Sequence, residues 1–360
     1  IAYDIWRYHQ ATNDVTLLAF YGAEIFIEIA RFWATIATHD PARDRYVIRG
    51  VVGPDEYHDA YPGSERPGID NNAYTNLMAA WVLWRATDVI DALPEQRQKE
   101  LSASLKLRRE ELGRWDEISR KLFVPFHDDG IISQFEGYDE LKELDWETYF
   151  ERYGNVQRLD RILEAEGDSP NRYKASKQAD VLMLFYLLSA DELGELFGRL
   201  GYPFEADTIP KNVEYYLART SHGSTLSKVV HAWVLVRSDR ERSWRLFSEA
   251  LESDISDIQG GTTPEGVHLG AMAGTVDLLQ RAYTGLDTRE EVLWLDPSLP
   301  EELNELRLKI CYRRHWGLEI EITRDRVRIR ARPADIHPIR VGIKDEIIEL
   351  QAGATVERPL

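Results

Sequence analysis

Apolar positions recur three and four residues apart through most of this chain, then switch to every second residue near its end. Ile5, Trp6, Tyr8 and His9 share part of one helical face. Thr12-Asn13-Asp14 breaks and recaps, and Leu17, Leu18, Tyr21, Ile25, Ile29 and Phe32 carry the period on. The spacing predicts two helices over 1–37. Tyr74, Leu77, Met78, Trp81 and Trp84 form an aromatic-rich stripe on a helix over 72–92, opened by Asn71-Asn72 as caps and ended at Pro94. Residues 95–122 are charged and amphipathic and predict a helix pair on the outside. Over 123–176 the period is lost. Asp128-Asp129-Gly130, Phe135-Glu136-Gly137-Tyr138 and Pro170-Asn171 predict a long irregular segment, the kind that serves as a functional loop or lid. Lys177 to Leu188 is almost entirely apolar but too short to cross a membrane, which predicts a buried inner helix. Another helix starts at Ser189-Ala190-Asp191, and four more are predicted over 210–217, 226–236, 240–251 and 270–283. About ten helices with no strands between them predict a mainly α body of paired helices over 1–286.

Beyond Leu286 the apolar residues alternate: Leu306, Leu308 and Ile310, then Leu318, Ile320 and Ile322, then Val327 and Ile329, then Val341 and Ile343. Charged residues lie between them, and Trp316-Gly317 and Arg324-Asp325 suit turns. Period two with polar alternates predicts antiparallel strands with one wet face, a small β domain over 287–360.

The chain's 360 residues are 43% hydrophobic, ample for a large core. A net charge of −18 argues against a nucleic-acid partner and an anionic membrane surface. Cys311 is the only cysteine, so neither an intrachain disulfide nor a cysteine zinc cluster forms. No apolar run approaches the 18 residues that mark a membrane span. The chain opens on Ile1, as expected of a piece cut from something longer.

Four loops carry polar residues that core packing does not need. In the first, Val51-Val52 ends at the breaker pair Gly53-Pro54, and Asp55-Glu56 follows with Tyr57 and His58. A carboxyl fixed just after such a turn suits a general acid, and equally an acidic surface turn. The second loop is Ser176-Lys177-Gln178-Ala179-Asp180. A lysine at the mouth of a buried helix either meets an anion or reaches out to water. The third, Thr220 to Ser227, combines hydroxyls, His222 and Gly223 ahead of a helix, which suits an anion nest or a plain helix cap. The fourth runs from Gly260 through His268 to Gly274, with small residues suited to close helix packing around a pocket. Asp55, Glu56, His58, His222 and His268 contain no i,i+4 pair on a helix and no HExxH, which argues against a metal.

Taken together, GPDEYH with DNNAYTN, QFEGY, KQAD, HGSTLS and EGVHLGAMAGT, in this order, resemble glycoside hydrolase family 65, the maltose, trehalose, kojibiose and nigerose phosphorylases. Each motif alone is weak; their order over more than 200 residues is specific. The resemblance covers nearly the whole chain but only the carboxyl-terminal half of the family. It implies an (α/α)6 barrel, here incomplete at its amino-terminal side, followed by the β domain. It also implies that Glu56 is the general acid and that inorganic phosphate attacks the anomeric carbon from the opposite face, as water does in an inverting glycosidase. Phosphate is then a co-substrate, and no cofactor or metal is needed. His222, Gly223, Ser224, Thr225 and Ser227, with His268 nearby, match the family's phosphate site; Lys177 and Gln178 match residues lining the inner sugar pocket. The resemblance further implies a small-molecule disaccharide as partner and a homodimer, and a sugar phosphate product is useful in the cytoplasm. The Ala60–Gly68 loop looks longer than in the best-known phosphorylases and bears on acceptor choice. Two other readings stand beside phosphorolysis. A hydrolase of the same family needs a second carboxylate; Thr220–Ser227 contains none, leaving Glu265 as the rival base. A non-catalytic carbohydrate-binding or scaffold fragment is the other.

Overall fold

The computed structural model describes residues 1–128, 130–258, 263–289 and 291–360, and of Glu265 only the backbone. The chain is mainly helical and ends in a small, largely antiparallel sheet domain.

Helix α1 (Ala2–Thr12) ends where Asn13 turns left-handed, and Asp14 caps α2 (Val15–Leu17) by accepting the N–H groups of Thr16 and Leu17. A π turn, Leu18–Gly22, leads straight into α3 (Ala23–Ile36). Strands β1 (Thr38–Asp40) and β2 (Arg45–Val47) form a hairpin. Asn72 then starts α4 (Ala73–Asp91), its Oδ1 accepting from Thr75 N. Next come α5 (Glu95–Leu105) and α6 (Arg109–Lys121).

The segment predicted to be irregular is built. It holds the short hairpin β3 (Phe126–His127) and β4 (Ile131–Ile132), then α7 (Trp146–Tyr153) and α8 (Leu159–Ala165). Leu144, Leu159, Leu163 and Ala175 give it a core of its own, shared with Tyr57. Helices of 8 and 7 residues are too short for their period to stand out in sequence.

The inner helix begins three residues later than its apolar run, as α9 (Asp180–Leu187). Then follow α10 (Ala190–Leu200), α11 (Thr208–Leu217), α12 (Thr225–Leu235), α13 (Arg240–Glu252) and α14 (Leu269–Asp277). Helices α1, α4, α9, α12 and α14 touch in that order as one row, with α3, α6, α11 and α13 packed behind. Trp81, Phe26, Leu184, Phe197 and Tyr216 lie in the shared core.

The β domain contains β5 (Asp287–Arg289), β6 (Val292–Leu295), β7 (Glu305–Tyr312), β8 (His315–Thr323), β9 (Arg326–Arg330), β10 (Ile339–Ile343), β11 (Glu346–Leu350) and β12 (Thr355–Pro359). Two four-stranded sheets, β11-β10-β6-β5 and β12-β9-β8-β7, share one core. Two details correct the sequence expectation. The β10–β6 pair is parallel, which the long excursion through the second sheet allows. The β7–β8 turn falls at Arg313-Arg314, both at positive φ as a two-residue hairpin requires, while Gly317 lies inside β8 at a register shift. Helix α1 ties the domain to the body: Ala11 O accepts from Arg313 N at 2.6 Å, and Arg7 bridges Glu192 and Asp287.

Candidate active site

Three of the four loops converge at the amino-terminal ends of α9 and α12. The Gly53–Glu56 turn closes with Glu56 N donating to Gly53 O, and Glu56 itself takes a left-handed φ of 63°. A non-glycine residue held there is uncommon and marks a strained, over-determined position. Its carboxylate reaches into the open. Glu56 Oε2 accepts from Lys177 Nζ at 2.7 Å. Gln178 holds the same turn, its Nε2 donating to Pro54 O at 2.7 Å, while its Oε1 is buried without a hydrogen-bond partner among the described residues.

The second and third loops are stitched to each other by backbone. Ser176 N donates to Arg219 O and Ser221 N to Ser176 O, both at 2.8 Å. The first and third meet through Tyr57, whose hydroxyl lies 3.0 Å from Ser221 Oγ. Burial pushes this phenol well up, so it stays neutral. Gly223 sits where all three loops touch. A Cβ there would lie 2.5 Å from the Gln157 carbonyl oxygen, 3.1 Å from Lys177 Cγ and 3.1 Å from the Tyr57 hydroxyl, so a glycine is required for the close approach.

Within the third loop, His222 also takes a left-handed φ, 57°. Its Nδ1 is 2.9 Å from Ser227 Oγ and its ring stacks edge-on against His231, 4.6 Å between centroids. Burial above all, then the charges of His231, Lys228 and Arg242, holds the His222 imidazole well below its ordinary range, so it is neutral. Ser224 caps α12, its Oγ accepting from Leu226 N at 3.2 Å, and Thr225 opens the helix. Ser227 is fully buried beneath the two imidazoles, so it bears on the open face through His222. His268 stands at the start of α14, its Nδ1 2.5 Å from Asp254 Oδ1 and its N–H on Oδ2 at 2.9 Å. The fourth loop approaches the third where Gly270 packs beside Leu226. Gly260, Gly261 and Thr262 lie outside the described residues, as does the side chain of Glu265.

Sequence reasoning missed Tyr57 as the bridge, Gln157 as the wall behind Gly223, and the polar cluster beneath Glu56. The i,i+3 spacing of Asp55 and His58 was the only visible trace of that cluster. A cavity of about 770 Å³ exists elsewhere, at the carboxyl-terminal ends of α9 and α12, lined by Tyr186, Leu188, Val213, Trp233, Val236 and Arg281. It is mostly apolar and, of the residues just described, takes only Arg242 into its lining.

A carboxyl facing a cation, hydroxyl and backbone donors at a helix start, and a neutral imidazole have the chemistry that suits a polyhydroxylated ligand beside an anion. The glycosyl hydrolase family 65 central catalytic domain matches residues 1–277, and the family's C-terminal domain matches 286–350. The chain belongs to glycosyl hydrolase family 65. An uncharacterized glycosyl hydrolase of Mycobacterium tuberculosis is 55% identical over 357 residues, 99% of this chain and 27% of that protein. Trehalose 6-phosphate phosphorylase of Lactococcus lactis is 40% identical over 324 residues, 89% of this chain and 40% of that one. Kojibiose phosphorylase of Caldanaerobacter subterraneus is 32% identical over 336 residues, 92% and 40%. This chain therefore spans well under half the length of these family 65 relatives. A solved putative kojibiose phosphorylase from the human microbiome shares the fold, with a TM-score of 0.79 at 21% identity, over 99% of this chain and 49% of that one.

Proposed function

We propose that this chain carries the reaction centre of an inverting α-glucoside phosphorylase, converting a glucosyl disaccharide and inorganic phosphate to β-glucose 1-phosphate and a free sugar. In this reading Glu56 protonates the glycosidic oxygen. Phosphate lies in the nest of His222, Gly223, Ser224 and Thr225, with Ser227 and His268 behind it, and attacks from the far face of the sugar. Lys177 and Gln178 line the sugar pocket, and the unpaired Gln178 Oε1 is the acceptor a sugar hydroxyl would satisfy. The observation that supports the reading is Gly223, wedged between the Lys177 stem and the Tyr57 hydroxyl, while Lys177 reaches Glu56.

The row of inner helices with a second row behind is the arrangement expected of part of an (α/α)6 barrel, and the β domain over 287–360 serves as support. Thr220–Ser227 contributes no carboxylate, and this supports phosphate over activated water as nucleophile. The relatives with named activities are phosphorylases, one of them acting on a 6-phosphorylated trehalose. The test is a panel of α-glucosyl disaccharides, including trehalose and trehalose 6-phosphate, incubated with phosphate and scored for β-glucose 1-phosphate. Formation from one of them supports the reading. No sugar phosphate from any, beside glucose release in phosphate-free buffer, would mean a hydrolase.

A further inference from the structure

The Glu56 turn rests on a buried polar cluster that phosphorolysis leaves unassigned. Asp55, His58 and Asp180 are each no more than 3% exposed. Asp55 Oδ1 accepts the N–H groups of Lys177 at 2.6 Å and Gln178 at 3.1 Å. Asp180 returns the stitch: its Oδ1 accepts Asp55 N at 2.6 Å, and its Oδ2 accepts Asn72 Nδ2 at 2.6 Å. The two loops that carry Glu56 and Lys177 thus hold each other through two carboxylates. Gly53 leaves room for the second, since a Cβ there would stand 2.0 Å from Asp180 Oδ2.

The ring of His58 closes this cluster, and its two nitrogens face acceptors. Nε2 is 3.0 Å from Tyr173 O, and Nδ1 is 3.1 Å from Asp55 Oδ2. A carbonyl can only accept, so Nε2 carries a hydrogen. Asp55 takes two N–H donors on its other oxygen and the Gln134 amide at 3.5 Å on Oδ2, the contacts of an anion. A second ring proton must therefore lie on the Nδ1–Oδ2 contact. The other groups facing the ring are Phe135 and Tyr138, at 5.0 and 5.9 Å between centroids. Tyr57 and Tyr138 feel the charge of Asp55, and Tyr74 and Tyr216 that of Asp180. Burial raises all four phenols, and none carries charge near neutral pH. Burial first, then the Asp55 charge, pushes the Asp180 carboxyl well up.

We propose that His58 and Asp55 form a buried imidazolium–carboxylate pair that locks the Glu56 turn against the Lys177–Gln178 turn, so that both are positioning residues for the reaction. Its kinetic part rests on the phosphorylase reading; its protonation part does not. The geometry needs Asp55 charged, because one oxygen must serve two backbone donors while the other serves the ring.

The experiment is nitrogen-15 NMR of the histidine rings at neutral pH, with kinetics of Asp55→Asn. Expected is a His58 ring with hydrogens on both nitrogens, the Nδ1 proton shifted downfield by the carboxylate. Asp55→Asn should abolish that proton and leave an Nε2–H tautomer. It should lower kcat at least tenfold while moving the phosphate KM less than threefold, since the nest is untouched. Glu56→Gln should keep the bridging proton. A wild-type ring with hydrogen on Nε2 alone, or Asp55→Asn at full kcat with an unchanged melt, would overturn the proposal. If the bridging proton is present but wild type shows no phosphorolysis, the function reading fails and the pair stands.

Discussion

The Tyr57 hydroxyl lies 3.0 Å from Ser221 Oγ, joining two loops 164 residues apart in sequence. Tyr57 follows Glu56 directly, and Ser221 precedes His222 directly. One phenol, packed among Leu144, Leu159 and Leu163, therefore joins the Glu56 turn to the His222 loop. Losing that hydroxyl leaves the buried Ser221 Oγ with its longer 3.3 Å contact to Ser176 O. Tyr57→Phe is expected to fold and to lower kcat/KM about tenfold for phosphate and disaccharide alike. Steady-state kinetics on both substrates check this; a wild-type value would remove Tyr57 as the spacer.

Glu56 is exposed and contributes little to packing, so Glu56→Gln should melt within a few degrees of the parent. Turnover of an unactivated disaccharide should fall about 10²–10⁴-fold, the usual worth of a general acid. Turnover of α-glucosyl fluoride, whose leaving group needs less protonation, should fall far less. Equal losses on both substrates would mean that the acid is another residue.

Ser224 caps α12, and in the proposed reading its hydroxyl also binds phosphate. Ser224→Ala should cost about 1 kcal/mol of stability from the lost cap. It should raise the phosphate KM about tenfold or more, the worth of a hydrogen bond to a charged group. The disaccharide KM should hardly move. Equal effects on both would remove the nest assignment.

Gly223→Ala places a methyl group against the Gln157 carbonyl, which is backbone and cannot rotate away. The three loops must part, and activity should drop at least a hundredfold while the helical core stays folded by circular dichroism. Retained activity would contradict the close approach.

His231 is fully buried, its Nδ1 2.7 Å from Ser227 O, and burial lowers its pKa from 6.5 to about 4. The unfolded chain binds this proton first as pH falls. The stabilising contribution is thus complete above 6.5 and is lost as pH drops toward 4. Between pH 7 and 4.5 it amounts to about 2–3 kcal/mol. Urea unfolding at the two pH values should show a smaller difference for His231→Asn by that amount. An unchanged difference would mean that the buried imidazole does not drive the acid loss.

Helix positions and the strand alternation were legible because long amphipathic periods and Asn or Asp caps are local signals; Asn72 and Asp14 cap where the pattern places them. The side each helix buries was not. Leu17, Tyr21, Ile25 and Phe32 keep the helical period yet stay at least 40% exposed, while Ala23, Phe26, Ile27 and Ala30 face the core. Tertiary packing chose the face that sets Ala23 and Ala30 beside Phe26 and Ile27, where α3 packs on α4. The turn at Arg313-Arg314 was hidden because two arginines at positive φ carry no turn chemistry, and Gly317 drew attention to a bulge instead. Glu56, Lys177 and the His222 loop were singled out by polar residues that core packing does not need and then by motif order. Their contact through Tyr57 and Gly223, and the Asp55–His58–Asp180 cluster below, depend on loops distant in sequence that no local pattern joins.

The most direct measurement follows the anomeric proton and phosphorus signals by NMR while the enzyme acts on its best disaccharide, with phosphate present and then withheld. Expected is β-glucose 1-phosphate formed one for one with free acceptor, and no glycosidic cleavage without phosphate. Glucose appearing at an undiminished rate in phosphate-free buffer would contradict an anion held opposite Glu56.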